Sequence, residues 1–162
     1  MSTDYLLAQQ RAEQQYNAAF HLLKVTMPVV NDPKLLIGVV YSLFQSMEAA
    51  MDAILAYDRQ LQLVPAYSST FASKFGLFRA RSARRHQVPQ EMVQAIETLQ
   101  KVLELHKNSP MEFPRGSKMV LANSDYQLKV LSLQEIKQYL TLAKDFLQIT
   151  DTVLTAHSHR KP

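Results

Sequence analysis

Pro33–Leu63 reads PKLLIGVVYSLFQSMEAAMDAILAYDRQLQL, and its pattern decides the fold. Leu36, Val40, Leu43, Met47, Ala50, Ile54, Tyr57 and Leu61 follow one another at steps of four and three, which keeps an apolar row on one side of an α-helix. Beside it runs a row of small residues, Ser42, Ser46, Ala49, Ala53 and Ala56, and a third arc, Ile37, Phe44, Met51 and Leu55, covers another side. A helix apolar over so much of its circumference has to be enclosed by others. The small row requires a neighbour whose backbone comes close. It is also the surface through which a homodimer would form.

Working outward, Ser2–Thr3–Asp4 offers N-caps for a first helix running to about Met27, with Tyr5, Ala8, Ala12, Ala19 and Leu23 on one face and Tyr16 close by. Pro28 and Asn31–Asp32–Pro33 end it in a tight turn, in which Asp32 caps the long helix and Pro33 suits its first position. After Val64–Pro65, the loop Ala66–Thr70 leads through Ser69 or Thr70 into a short helix, Phe71–Arg85. Pro89 opens a fourth main segment to about Lys107, with Met92, Ile96, Leu99, Leu103 and His106 inward. Asn108–Ser117, with two prolines and a glycine, reads as irregular, and Met111 and Phe113 are expected to dock it onto the bundle. Lys118–Leu131 reads as a small β-hairpin around Asn123–Ser124–Asp125. Ser132-Leu133-Gln134-Glu135 is a capping box for a last helix to about Ala156, with Ile136, Leu140, Ala143, Leu147, Thr150 and Leu154 inward, and 157–162 is a frayed tail. The expectation is one domain over 1–162: an all-α, up-down bundle of four main helices, plus a short basic helix and a small β-hairpin insertion.

Composition narrows the function. With 47% hydrophobic and 20% charged residues the chain is globular rather than disordered. The absence of cysteine excludes disulfides, a thiol nucleophile and thiolate-ligated metal. The three glycines are isolated, so no phosphate-cradling loop of the Walker or Rossmann kind can form. No signal peptide and no membrane-length apolar run is visible, which points to the cytoplasm. No cofactor is expected. The histidines, His21, His86, His106, His157 and His159, show no paired ligand spacing, so no metal is expected either.

The net charge of +4 is concentrated. Between Asp58 and Glu91 there is no acid, yet Arg59, Lys74, Arg79, Arg81, Arg84 and Arg85 fall there, leaving the remainder at −2. Guanidinium groups are always charged and bind phosphate oxygens in pairs, so Lys74, Arg79, Arg81, Arg84 and Arg85 form a candidate anion-binding set. RNA is the first choice of partner. The bland alternative is a solvated helix end. Phe71, Phe75 and Phe78 could stack bases, but their helical spacing fits a core better.

Within this segment Arg81, the polar Ser82, three residues and then His86 resemble the arginine–histidine motif of the HEPN superfamily, small all-α bundles that often dimerise. The resemblance implies a metal-independent ribonuclease, with His86 as general acid/base on a 2′-hydroxyl and Arg81 stabilising the phosphorane. Ser82 stands where the family more often has Asn or Asp, and many HEPN bundles are binding modules rather than nucleases. Two further readings stay open. One is an interaction or scaffold bundle whose basic patch meets an acidic protein. The other is a small-ligand module in which Glu112 and Arg115 form a pocket rim. Glu48 and Asp52 share a helix face without standing out as an acid/base pair.

Overall fold

The computed structural model describes residues 4–156. The N-cap candidates Ser2 and Thr3 and the tail 157–162 lie outside the described residues. Within them the chain forms five helices and one small antiparallel sheet. Helix α1 is Asp4–His21, continued by a π-helical segment, Leu22–Thr26, and a last turn, Met27–Val30. Helix α2 is Leu35–Gln60. Helix α3 is Phe71–Leu77, continued by a second π-helical segment, Phe78–Ser82, and the turn Ala83–Arg85. Helix α4 is Gln90–Asn108, and α5 is Leu133–Ala156.

Helix α2 is the centre, as its pattern requires. Leu36, Val40, Leu43, Met47, Met51, Ile54 and Leu55 are all fully buried, and α1, α4 and α5 pack on it from different sides. The small row faces α1. Ala49 and Ala53 are buried opposite a helix whose own buried residues include Ala8, Ala12 and Ala19, and Ser46 Oγ donates to the Ala12 carbonyl at 2.8 Å. Helix α1 therefore occupies the surface expected to carry a homodimer. Gly38 serves the same approach, because a Cβ there would meet the Leu22 side chain at 3.0 Å. A hydrogen bond from Gln9 to Asp151 ties α1 to α5.

The caps form largely as their residue types dictate. Asp32 Oδ1 accepts from Lys34 N at 3.0 Å, Thr70 Oγ1 from Ser73 N at 3.3 Å and Ser132 Oγ from Glu135 N at 3.2 Å. The capping box at Ser132 closes on that side only, because the Glu135 carboxylate pairs with Lys129 at 3.0 Å instead. Leu61 departs from its expected inward row. Helix α2 ends at Gln60, Gln62 turns to φ 60°, and Leu61 is left exposed.

The β region differs most from expectation. It is a three-stranded sheet in the order β1 (Met111–Arg115), β2 (Lys118–Ala122), β3 (Leu128–Leu131), not a hairpin, and it includes much of the stretch read as irregular. Pro114 is tolerated because β1 is an edge strand. Gly116, at φ +63°, and Ser117 form the two-residue connection between Arg115 and Lys118, the turn a glycine at the first loop position favours. Strand alternation also corrects the docking expectation. Met119, Leu121 and Leu131 face the core, while Met111 and Phe113 stand on the opposite face, 58% and 39% exposed.

Candidate functional site

Two helix C-termini meet at the basic segment. Helix α2 is closed by Leu63 N donating to the Asp58 carbonyl (2.8 Å) and Gln62 N to that of Arg59 (2.9 Å). Helix α3 is closed the same way, by Val88 N to the Ala83 carbonyl (2.8 Å) and Gln87 N to that of Arg84 (3.3 Å), with Gln87 at φ 56°. Both are Schellman closures built on glutamine where glycine is usual. They place Asp58 in the last turn of α2 and His86 at the C-cap of α3, and the two side chains meet. His86 Nε2 lies 2.8 Å and 3.1 Å from the two Asp58 carboxylate oxygens. The Asp58 side chain is fully buried and that of His86 is 16% exposed. A carboxylate can only accept, so Nε2 carries the proton and Nδ1 is the nitrogen left over. The Tyr57 ring lies beside the imidazole, with centroids 6.5 Å apart.

The π-helical segment makes the meeting possible. One additional residue in a helix turns everything after it by about 100° relative to what precedes it. In Phe78–Ser82 that extra turn leaves Phe78 and Ser82 buried, Phe78 edge-on to Phe146 at 5.9 Å, and brings His86 round to α2. Arg81, Arg84 and Arg85 stand exposed, and among the described residues none has an acidic partner. The negative end of the helix dipole favours cations in this last turn.

The other expected residues divide differently. Arg79 pairs with Glu97 at 3.6 Å and lies over the Phe75 ring at 5.5 Å, which ties it to α4 and its own helix. Lys74 turns inward, 3.0 Å from Asp52 and 3.7 Å from Glu48, with only 14% of its side chain exposed. Phe75 and Phe78 are core residues, and Phe71 stacks on Phe75 at 5.2 Å, so these rings do not form an open stacking platform. Ser82 is fully buried, and its hydroxyl has no hydrogen-bond partner among the described residues. It faces the core, not the arginine face. Glu112 and Arg115 do not form one rim, because they stand three positions apart on β1 and strand alternation turns them to opposite faces. Glu112 pairs with His106 Nδ1 at 2.7 Å, and Arg115 is exposed at the strand end. That contact also corrects the inward reading of His106, whose side chain is 42% exposed.

A second polar cluster, around Lys74, was not singled out from the sequence. Arg11, Asp52 and Lys74 help line a cleft of 370 Å³ that also contains Tyr67. Burial pushes the Glu48 carboxyl up from its usual value, against the opposing pull of Lys74. Burial likewise raises Tyr67, with the Asp52 charge adding to it. No group of three metal-ligating side chains occurs among the described residues, and none of the described helices is long and apolar enough to cross a membrane.

Asp58 is the residue that sequence reasoning missed, although a signal was present. It falls three residues after Leu55 and so prolongs the arc Phe44–Met51–Leu55. An acid on an apolar arc needs a buried partner. Comparison with protein families, with curated proteins and with solved structures finds no match to this chain.

Proposed function

We propose that the protein binds RNA through its phosphates, with Arg81, Arg84 and Arg85 as the contact face and the Asp58–His86 pair as the anchor of that face. The observation that carries this reading is the contrast within one basic segment. Lys74 and Arg79 pair with acids, while Arg81, Arg84 and Arg85 stand exposed at one helix end without acidic partners among the described residues. Arg84 and Arg85 follow Arg81 by three and four residues, which sets each of them beside it on the exposed helix end. With no open aromatic platform in the segment, recognition rests on backbone charge rather than on base identity. Three phosphate contacts on a single strand give a log–log salt slope of about −2. Reversing Arg84 and Arg85 to glutamate should abolish binding of a single-stranded RNA while the thermal midpoint stays in place. Binding indifferent to salt and to these reversals would refute the reading. Salt-sensitive capture of an acidic peptide in preference to RNA would transfer the face to the scaffold alternative.

A second reading, HEPN-like ribonuclease activity, is favoured by one specific feature. A buried carboxylate holding an imidazole through one nitrogen is the arrangement that orients a general acid/base. On that reading His86 exchanges the proton and Arg81 meets the phosphorane. Cleavage of labelled RNA that persists in EDTA and is lost in His86→Ala by ~10²-fold or more beyond any fall in RNA affinity would establish it. RNA left intact by the wild-type chain would remove it and leave the binding face untouched.

A further inference from the structure

The sheet has two faces of opposite character. On one, the rows Pro114–Met119–Leu131 and Glu112–Leu121–Lys129 lie toward the helices. Met119, Leu121 and Leu131 belong to the core, and Glu112 and Lys129 reach His106 of α4 and Glu135 of α5. The other face carries the rows Phe113–Val120–Val130 and Met111–Ala122–Leu128. There Met111, Phe113, Leu128 and Val130 are 58%, 39%, 64% and 38% exposed. Val120 in the middle is 3% exposed yet lies outside the core cluster, flanked in register by Phe113 and Val130. An antiparallel sheet with one face on a core ordinarily alternates polar residues outward, and this one does not. Four large apolar side chains in two adjacent rows present on the order of 300–400 Å², within the range of the largest apolar patch on a typical monomer, which is often functional.

The ends of this face carry opposite charges. At the β1–β2 turn stand Arg115 and Lys118, paired in register, exposed and without an acidic partner among the described residues. At the β2–β3 turn stands Asp125, also exposed and unpaired among them, in a loop held by Asn123 Oδ1, which accepts from Asp125 N (3.0 Å) and Gln127 N (2.9 Å). Next to it Tyr126 is held at φ 61° with 95% of its surface exposed. A bulky residue in the left-handed region costs energy, and at 95% exposure this ring has little contact among the described residues to offset that cost.

We infer that this face is the interface of a homodimer, in which a second copy lays the same apolar rows across it with its strands reversed. An apolar strip with cations at one end and an acid at the other is complementary to itself under a two-fold axis perpendicular to the strands. That axis sets Arg115 and Lys118 of each copy against Asp125 and Tyr126 of its mate, so both ends match and the tyrosine ring gains a cation to lie over. An axis along the strands would set like charges together, so charge selects the first arrangement. The patch is small, so the dimer is weak and concentration-dependent.

Sedimentation of the full chain from micromolar to millimolar concentration tests this. The wild type should pass from monomer to dimer, and Phe113→Asp should stay monomeric with its helical circular dichroism kept, because Phe113 stands on the face away from the helices. Asp125→Lys alone and the pair Arg115→Glu/Lys118→Glu alone should each remain monomeric, since each sets like charges at both ends. Mixed in equal amounts, these two variants should dimerise at least as well as the wild type, because every end then meets its opposite. A wild type monomeric throughout the range would overturn the inference. So would a Phe113→Asp variant that dimerises normally, or a mixture no more associated than its components.

Discussion

Removing the imidazole of His86 should destabilise the protein far more than breaking any exposed ion pair in it. Asp58 has no exposed side-chain surface, and both its carboxylate oxygens lie within hydrogen-bond distance of one nitrogen, at 2.8 and 3.1 Å. In His86→Ala the carboxylate would stay behind, buried and stripped of those contacts. Breaking a buried pair from one side costs about 3–5 kcal/mol, because the remaining charge has lost its hydration and its partner together. For a domain of this size that corresponds to a fall of roughly 6–20 °C in the thermal midpoint. The control is Lys101→Ala, which breaks the exposed Lys101–Glu97 pair (69% and 40% exposed side chains) and should cost about 0.3–0.5 kcal/mol. Urea unfolding of both variants gives the comparison directly. The double variant Asp58→Leu/His86→Leu completes it. With neither charge present the penalty should largely vanish, so the losses of the single variants should fail to add. If His86→Ala shifted the midpoint no further than Lys101→Ala, Asp58 would have to be reaching water, and the anchor role would be wrong.

Three shorter predictions address other parts of the structure. Ala53→Leu should cost about 1–3 kcal/mol in unfolding free energy, because Ala53 is fully buried on the α1-facing row and overpacking there forces the helices apart. Ser82→Ala should be neutral or stabilising by up to ~1 kcal/mol in the same assay, since it removes a buried hydroxyl that has no partner, and it should leave RNA affinity unchanged. Glu48 is raised from its usual 4.5, chiefly by burial, so the folded state holds its proton more tightly than the unfolded chain does. Its contribution is fully present below pH 4.5 and is lost as the pH rises through the raised value. Glu48→Gln should therefore match the wild type near pH 4 and gain on it toward pH 7, with Asp52 still pairing Lys74 at 3.0 Å. A gap in thermal midpoint that did not change with pH would refute the assignment.

The helices were legible because each follows from a local rule that the packing does not overrule. The inward residues of α5, from Ile136 to Leu154, are buried at every expected position, and the small row of α2 did find the close neighbour it required. The sheet was misread for an equally local reason. Pro110 and Pro114 argue against a strand, but an edge strand does not need every N–H, and Gly116–Ser117 between two short runs is itself a hairpin signal. The basic segment was legible as charge but not as geometry. Five cations in sequence became three without acidic partners among the described residues because acids on α2 and α4, remote in sequence, pair with Lys74 and Arg79. The π-helical segments left no trace in the four–three pattern, since Phe71, Phe75, Phe78 and Ser82 are spaced as an ordinary helix would space them.

That hidden turn explains why the anchor and the arginine face belong together. A helix ending in Ala83–Arg85 with no tertiary tie would fray, and its arginines would sample many geometries. Here the end is held three ways: by the Schellman closure at Gln87, by the buried side chains of Phe78, Ser82 and Ala83, and by His86 on Asp58. An immobilised side chain costs about 0.5–1.5 kcal/mol at the moment of binding, and a backbone fixed beforehand removes part of that cost for each of three arginines. On the proposed reading the pair would act on an anionic partner without touching it. It fixes the turn from which Arg81, Arg84 and Arg85 project, and any substitution that frees that turn should weaken all three contacts together.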